Sequence, residues 1–426
     1  MPAATPVPRG PSVLTLYTAA DLLTGPGCPV CRYAGEAADR YLAWFALEGH
    51  ADVVTITRLC SSLGMCPRHT RGLMSQPGAA NRLTAVYQYV MRAARDRLNG
   101  GAKRLGACPG CGHDDAATDR AVDTLLEGLA VGSVRDRYLE LGGLCVPHLG
   151  RASARGTRQT LAWLSQTMTE AAGFGPASLP ASPGWLAGTD RDADVRAALR
   201  QAARASAPSG SRGCMACLAA IRAEDDGLAR ILRVPRVPRV PRVPRVPGVP
   251  RAGDRSQPDG RLLLCGGHLG DAVVLAGPRD APSLLAWQAG CLTAGLARHR
   301  VPAGWLRTRR RGPAGGCLVC QASEDAARRA VDGLRASLRA SHPVPGRQAP
   351  LCVRHLLGLS ALDPWAGHEM APGAVEHADT LIAELDLAFS KNTWAHRHEA
   401  RGPEMTAWRR AAAFLDGRAG QHSGMP

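Results

Sequence analysis

Apolar residues recur along this chain at intervals of three and four rather than two. Between Cys31 and Gly49, Tyr33, Ala37, Tyr41 and Trp44 fall on one stripe, the spacing of an amphipathic helix. Asp52 offers an N-cap for a second helix with Val53, Ile56 and Leu63 as its apolar positions and Gly64 just past its end. A short helix opens at Cys66–His69. Asn81 then reads as the cap of a long helix in which Leu83, Val86, Tyr87, Val90, Met91, Ala94 and Leu98 form a continuous stripe, closed by Asn99-Gly100-Gly101.

The same order then returns. Asp114 or Asp115 can cap a helix carrying Val122, Leu125, Leu126 and Leu129, and Ser133 a second with Val134, Tyr138 and Leu141, closed by Gly142-Gly143. Cys145–His148 follows, then a helix with Leu161, Leu164 and Met168. Further on, helices are expected after Cys217, over 282–297 (Leu284, Leu285, Trp287, Leu292, Leu296) and after Cys320 (Ala327, Val331, Leu334, Leu338). A long helix over 374–399 and a final one over 404–415, with Trp408, Ala411, Phe414 and Leu415, complete the chain. No segment alternates as a strand does, so the fold class is all-α.

Between the helices lies one repeated chemistry. Cys28 and Cys31 are followed by Cys66 and His69, Cys108 and Cys111 by Cys145 and His148, Cys214 and Cys217 by Cys265 and His268, and Cys317 and Cys320 by Cys352 and His355. The half-motifs are separated by 34, 33, 47 and 31 residues and use twelve of the fourteen cysteines. Each CxxH follows an apolar residue: Met65, Leu144, Leu264 or Leu351. Three thiolates and one imidazole suit a closed tetrahedral zinc site. A spacing of three puts both side chains of a pair on one face of a helical turn, and a helix N-terminus there favours thiolate over thiol. The expectation is therefore up to four structural Zn2+ ions on these sixteen residues. Combining the pairs within each repeat closes the shortest loops, although combination across repeats stays open. His113 competes with His148 as a ligand, but only His148 fits the repeat. Cys60 and Cys291 read as small core residues on helix faces. Iron–sulfur binding less usually takes three Cys with one His. A redox CxxC would sit in a βαβ setting that is missing here.

The repeat divides the chain into four small helical units, each clipped by its own CxxC…CxxH site. A disordered 1–12 precedes unit 1 (13–101) and unit 2 (102–172). Residues 173–213 form a linker with room for a short helix, and unit 3 spans 214–297. A basic linker over 298–316 leads to unit 4 (317–417), and 418–426 is a disordered tail. Unit 3 is interrupted over 233–251, where five copies of Arg-Val-Pro and then Gly-Val-Pro favour polyproline II. Units of this size commonly need a metal or another staple.

Charge changes the picture little. Of a formal net charge of +16, residues 230–261 (nine Arg, two Asp) and 298–311 (six Arg, no acid) carry thirteen. Those two segments could bind nucleic acid through phosphates. Aromatic residues are only 4% of the chain and fall on helix stripes, so base-stacking platforms are not evident. No apolar run reaches about 18 residues and the start has no apolar h-region, so neither a membrane span nor a signal peptide is expected. A cytoplasmic location follows, where paired cysteines are more often metal ligands than disulfides.

Taken together, CPxC, two helices and G-[Leu/Met]-C-x-x-H resemble an uncharacterised family of bacterial proteins, a domain-of-unknown-function group. The matching residues are Cys28, Cys31, Gly64, Cys66 and His69, and Gly143, Cys145 and His148. Units 3 and 4 keep the ligands but lose the preceding glycine and the second helix. The resemblance implies metal binding and no established activity. There is no HExxH, no HxE…PCxxC, no Walker loop and no GxGxxG after a strand, and four protein ligands leave no open metal position. No enzyme is expected. The function expected is a zinc-stapled scaffold or interaction module that binds another protein. The alternatives are a nucleic-acid binder using the two Arg-rich segments and a thiol or zinc redox sensor.

Overall fold

The computed structural model describes residues 11–100 except 26, 105–157 except 142 and 154, 160, 163–164, 167, 214–233, 264, 268–269, 271–276, 280, 284, 317–340 and 351–416 except 397. Most of the helices expected over 282–297 and beyond Thr157, both Arg-rich segments, the linkers, Cys265 and Cys291 lie outside the described residues. Among those described, thirteen α-helices and no strand occur: α1 Val13–Leu22, α2 Pro29–Leu47, α3 Val53–Ser62, α4 Pro67–Met74, α5 Ala79–Gly100, α6 Pro109–Gly128, α7 Gly132–Glu140, α8 Val146–Ser153, α9 Met215–Arg233, α10 Leu318–Arg339, α11 Val353–Leu362, α12 Pro364–Lys391 and α13 Ala407–Leu415. The all-α class is thereby shown.

Ser12, Asp52 and Asp363 cap the starts of α1, α3 and α12. Asp52 caps α3 as expected, its Oδ2 accepting from Thr55 N at 2.7 Å. The helix ends through Leu63 (φ 52°) and Gly64 (φ 90°), whose amide returns to Leu59 O at 2.9 Å. Other expected starts shift upstream. α5 begins at Ala79 with Asn81 inside it, and α7 begins at Gly132 after Val131 with Ser133 inside it. α6 begins at Pro109, so Asp114 and Asp115 lie within it and cap nothing. Pro at the first helical position needs no amide partner and has its φ already set, which moves that start back to the cysteine. α12 starts at Pro364, ten residues before the expected 374. Asp363 caps it by accepting from Ala366 N at 3.2 Å, and Pro372 is carried inside at the loss of one backbone bond.

The chain forms two compact units, each assembled from three stretches. One comprises Met1–Glu36, Asp115–Ala193 and Leu228–Val319; the other Ala37–Asp114, Asp194–Gly227 and Cys320–Pro426. In the second unit, α5 and α12 pack antiparallel: Gln88 and Arg92 reach Asp386 at 2.7 Å, and Arg95 reaches Asp379 at 3.4 Å. Their apolar faces, with Val90, Met91, Leu381 and Leu385, join α3, α11 and α13 in one core that buries Phe45, Leu63, Leu359, Trp408 and Phe414. Each such side chain contributes about 1.5–3 kcal/mol on burial. In the first unit, α1 lies against α7, and a Cβ on Gly128 would fall 2.5 Å from Ala19 Cβ, so glycine lets α6 approach α1. Arg151 clasps Asp119 (2.6 Å) and Asp115 (3.2 Å), tying α8 to α6.

Candidate metal centres

The first residue of each described half-motif stands immediately before a helix and the last in its first turn. Cys66 and Cys352 are the N-cap residues of α4 and α11. Cys28, Cys108, Cys145, Cys214 and Cys317 directly precede α2, α6, α8, α9 and α10. The carbonyls of Cys28, Cys66, Cys108, Cys145, Cys214 and Cys352 accept from the amide four residues on. N-cap and N3 side chains face each other across a helix start, the arrangement of a capping box. Here both carry metal-ligand atoms, beside amides whose partial positive charge favours thiolate.

These pairs assemble into four clusters able to hold a metal ion: Cys28, Cys31, Cys145 and His148; Cys66, His69, Cys108 and Cys111; Cys214, Cys217, Cys352 and His355; and His268, Cys317 and Cys320. In each, the ligand atoms lie within 4.8 Å of one another. Each histidine presents Nδ1. In the first cluster Nδ1 of His148 is 3.4, 3.3 and 3.2 Å from the sulfurs of Cys28, Cys31 and Cys145, and Cys31 and Cys145 are 3.6 Å apart. In the second, His69 Nδ1 lies 3.2, 3.6 and 3.6 Å from Cys66, Cys108 and Cys111, and Cys66 and Cys111 are 3.7 Å apart. In the third, His355 Nδ1 lies 3.3, 3.4 and 3.1 Å from Cys214, Cys217 and Cys352. In the fourth, His268 Nδ1 is 3.3 Å from Cys317; Cys265, its expected fourth ligand, lies outside the described residues. A tetrahedron with zinc–sulfur bonds of about 2.3 Å has edges of about 3.8 Å, close to these separations. None of the twelve described cysteines is in a disulfide.

Clipping of each unit by its own site is corrected. The first CxxC joins the second CxxH, and the first CxxH joins the second CxxC. The chain from 214 to 355 repeats this nesting. Helix length is the reason. α2 has 19 residues and rises about 28 Å, whereas the 10 residues of α3 return only about 15 Å. The same holds for the 20-residue α6 and the 9-residue α7. Loop entropy does little to oppose this. Closing 114 positions from Cys31 to Cys145, rather than 35 to Cys66, costs only about 1 kcal/mol more.

The packing also fixes the protons. Hydrogen bonds from Cys145 and Cys28 pull the Cys31 thiol far below its usual range, while burial pushes Cys145 well above it. Cys108 is lowered and Cys111 raised by their mutual hydrogen bond, and Cys214 and Cys217 divide in the same way. Burial works against the imidazolium of His69, but Asp114, Cys108 and Cys66 override it and carry the group up to about 11. His148 and His355 rise to about 9 and 10 against the same burial, through their cysteine neighbours. Adjacent thiols resist ionising together, and a dication is what lets all of them do so.

The apolar residues before each CxxH, Met65, Leu144, Leu264 and Leu351, are all buried. Gly64 and Gly143 take positive φ two residues before Cys66 and Cys145, and Leu144 N donates to Tyr138 Oη at 2.9 Å. His113 is not a ligand; it stacks on Tyr41 with centroids 4.7 Å apart. Cys60 packs half-buried against the core. Sequence reasoning misses the role of Asp114: its Oδ2 takes His69 Nε2 at 3.0 Å and Arg68 Nη1 at 2.9 Å. The one signal for it is a carboxylate three residues after a ligand cysteine, on the same helix face.

No family model, curated protein or solved structure matches this chain. No described helix is long and apolar enough to cross a membrane.

Proposed function

We propose that this chain is a cytoplasmic zinc protein whose metal centres are structural and whose helical surface serves as a scaffold or interaction module for another protein. The observation that carries the reading is the nested assembly of Cys3His sets at helix starts. Three thiolates and an imidazole saturate a tetrahedral ion, leaving no open position for water or substrate, so the centres staple helices rather than perform chemistry. Each complete centre ties segments about 40 to 140 residues apart, the work of a clasp. Val13, Leu14 and Tyr17 of α1 stay exposed, as do Trp365 and Trp394, which offers apolar anchors to a partner. The resemblance of the CPxC and G-[Leu/Met]-C-x-x-H motifs to an uncharacterised bacterial family fits the same reading.

Elemental analysis of protein purified without chelator tests it, with circular dichroism before and after metal removal. About four zinc ions per chain, with helix lost on stripping, is the expected result. Iron, or intact helices without metal, would overturn the structural-zinc reading. Turnover of a substrate only with zinc present would overturn the scaffold.

A further inference from the structure

The three completely described centres share ligands and helix positions but not surroundings. Counted from the second cysteine of each CxxC, the residue three positions on is Ala34, Asp114, Ala220 or Ser323. Only Asp114 is a carboxylate. It is buried and meets the buried Nε2 of His69 at 3.0 Å, while His69 Nδ1 faces the three sulfurs. Ser323 instead donates to Glu224 at 2.6 Å. A second difference lies inside the CxxC. The residue before the second cysteine is Val30, Ala216 or Val319 elsewhere, but Gly110 here. A Cβ on Gly110 would stand 2.7 Å from His69 Cγ, so the imidazole lies flat on the first turn of α6 where any other residue would displace it. One turn further on, Asp114 receives the ring's far nitrogen. Arg68, from the same CxxH, binds the same Oδ2 at 2.9 Å and holds the carboxylate in place.

We infer that Asp114 is the positioning residue that commits His69 to bind metal through Nδ1, and that it makes the Cys66/His69/Cys108/Cys111 centre the last of the three completely described centres to release its metal. The inference rests on the zinc reading above. A histidine whose free N–H is held by a carboxylate is fixed in tautomer and orientation and is a more basic ligand, and loss of such a partner costs about 10–100-fold in metal affinity. The centre also receives a backbone amide, Cys66 N donating to Cys108 Sγ at 3.2 Å, which stabilises thiolate.

The test uses the full chain loaded with zinc and challenged with excess chelator, with zinc per chain followed over time by native mass spectrometry. The wild type is expected to pass through a long-lived state that still holds the zinc of this centre. In Asp114→Ala that state should vanish, its release quickened roughly 10–100-fold, and Asp114→Glu should restore part of the lifetime. Asp119→Asn, on the same helix and paired with Arg151, should leave the state intact. Nitrogen-15 spectra of histidine-labelled wild type give a readout that does not need the variant to fold. His69 should carry its proton on Nε2, in a hydrogen-bonded position, with Nδ1 on the metal. Coordination through Nε2, or unchanged release from Asp114→Ala, would overturn the inference while the zinc reading stands. A wild type that takes up no metal would overturn both.

Discussion

The Cys28/Cys31/Cys145/His148 centre and the Cys66/His69/Cys108/Cys111 centre use the same ligands at the same helix positions, yet they are held in different ways. The outer one joins residues 114 apart in sequence and is the more buried, with Cys28 and Cys145 enclosed. The inner one joins residues 45 apart, has its three cysteines half-exposed, and adds a carboxylate behind its histidine. Enclosure holds one centre and an ordered polar shell the other. The pairing is decided by how far each helix carries its cysteines, since the entropy separating the two pairings is only about 1 kcal/mol.

Removing metal from both centres should have the largest effect, on the order of 10 kcal/mol for each structural zinc lost. Far-ultraviolet circular dichroism should show most of the helix disappearing, and helices that survive would end the comparison. Next in size is loss of a single centre, which reports directly on pairing. Cys31→Ser and Cys145→Ser should each remove one metal, and the double variant still only one. Cys31→Ser with Cys66→Ser should remove two. If that last pair removes one, each CxxC is bound to its own CxxH and the nesting is wrong.

Smaller effects sharpen the contrast at the turns that lead into the two centres. Gly64 and Gly143 both have positive φ, which costs a side chain about 1–2 kcal/mol. Gly143→Ala should cost more, because its Cβ would meet Tyr138 Oη at 3.0 Å, whereas the nearest atom to a Cβ on Gly64 is 3.9 Å away. Urea unfolding of the metal-loaded variants should rank them in that order, and the reverse rank would deny Tyr138 its place under the outer centre. Asp52→Ala should be mildest, about 1 kcal/mol for a lost N-cap, seen as a small fall in Tm.

Local signals are legible in the sequence. The cap at Asp52, the turn at Gly64, the buried Met65 and Leu144 and the paired ligands are of this kind, and the structure carries each. Pairing is not legible, because it depends on the return path of the chain and no residue pattern within a repeat encodes that path. The start of α12 is hidden by Pro364 and Pro372, which read as breakers although one fits the first helical position and the other costs a single bond. Asp114 reads as a cap because an aspartate near a helix start usually is one. Its true partner, His69, is 45 residues away and comes into view only once α6 is placed.

The nesting has a consequence for the integrity of the polypeptide. Every centre between residues 28 and 148 draws one pair of ligands from before Gly101 and the other from after Arg104. With both centres loaded as proposed, a protease that cuts between them would leave two fragments still buckled together twice, separable by a chelator but not by dilution alone. Two chains expressed as those fragments should find each other through zinc, and a nicked molecule would persist as long as its metal does.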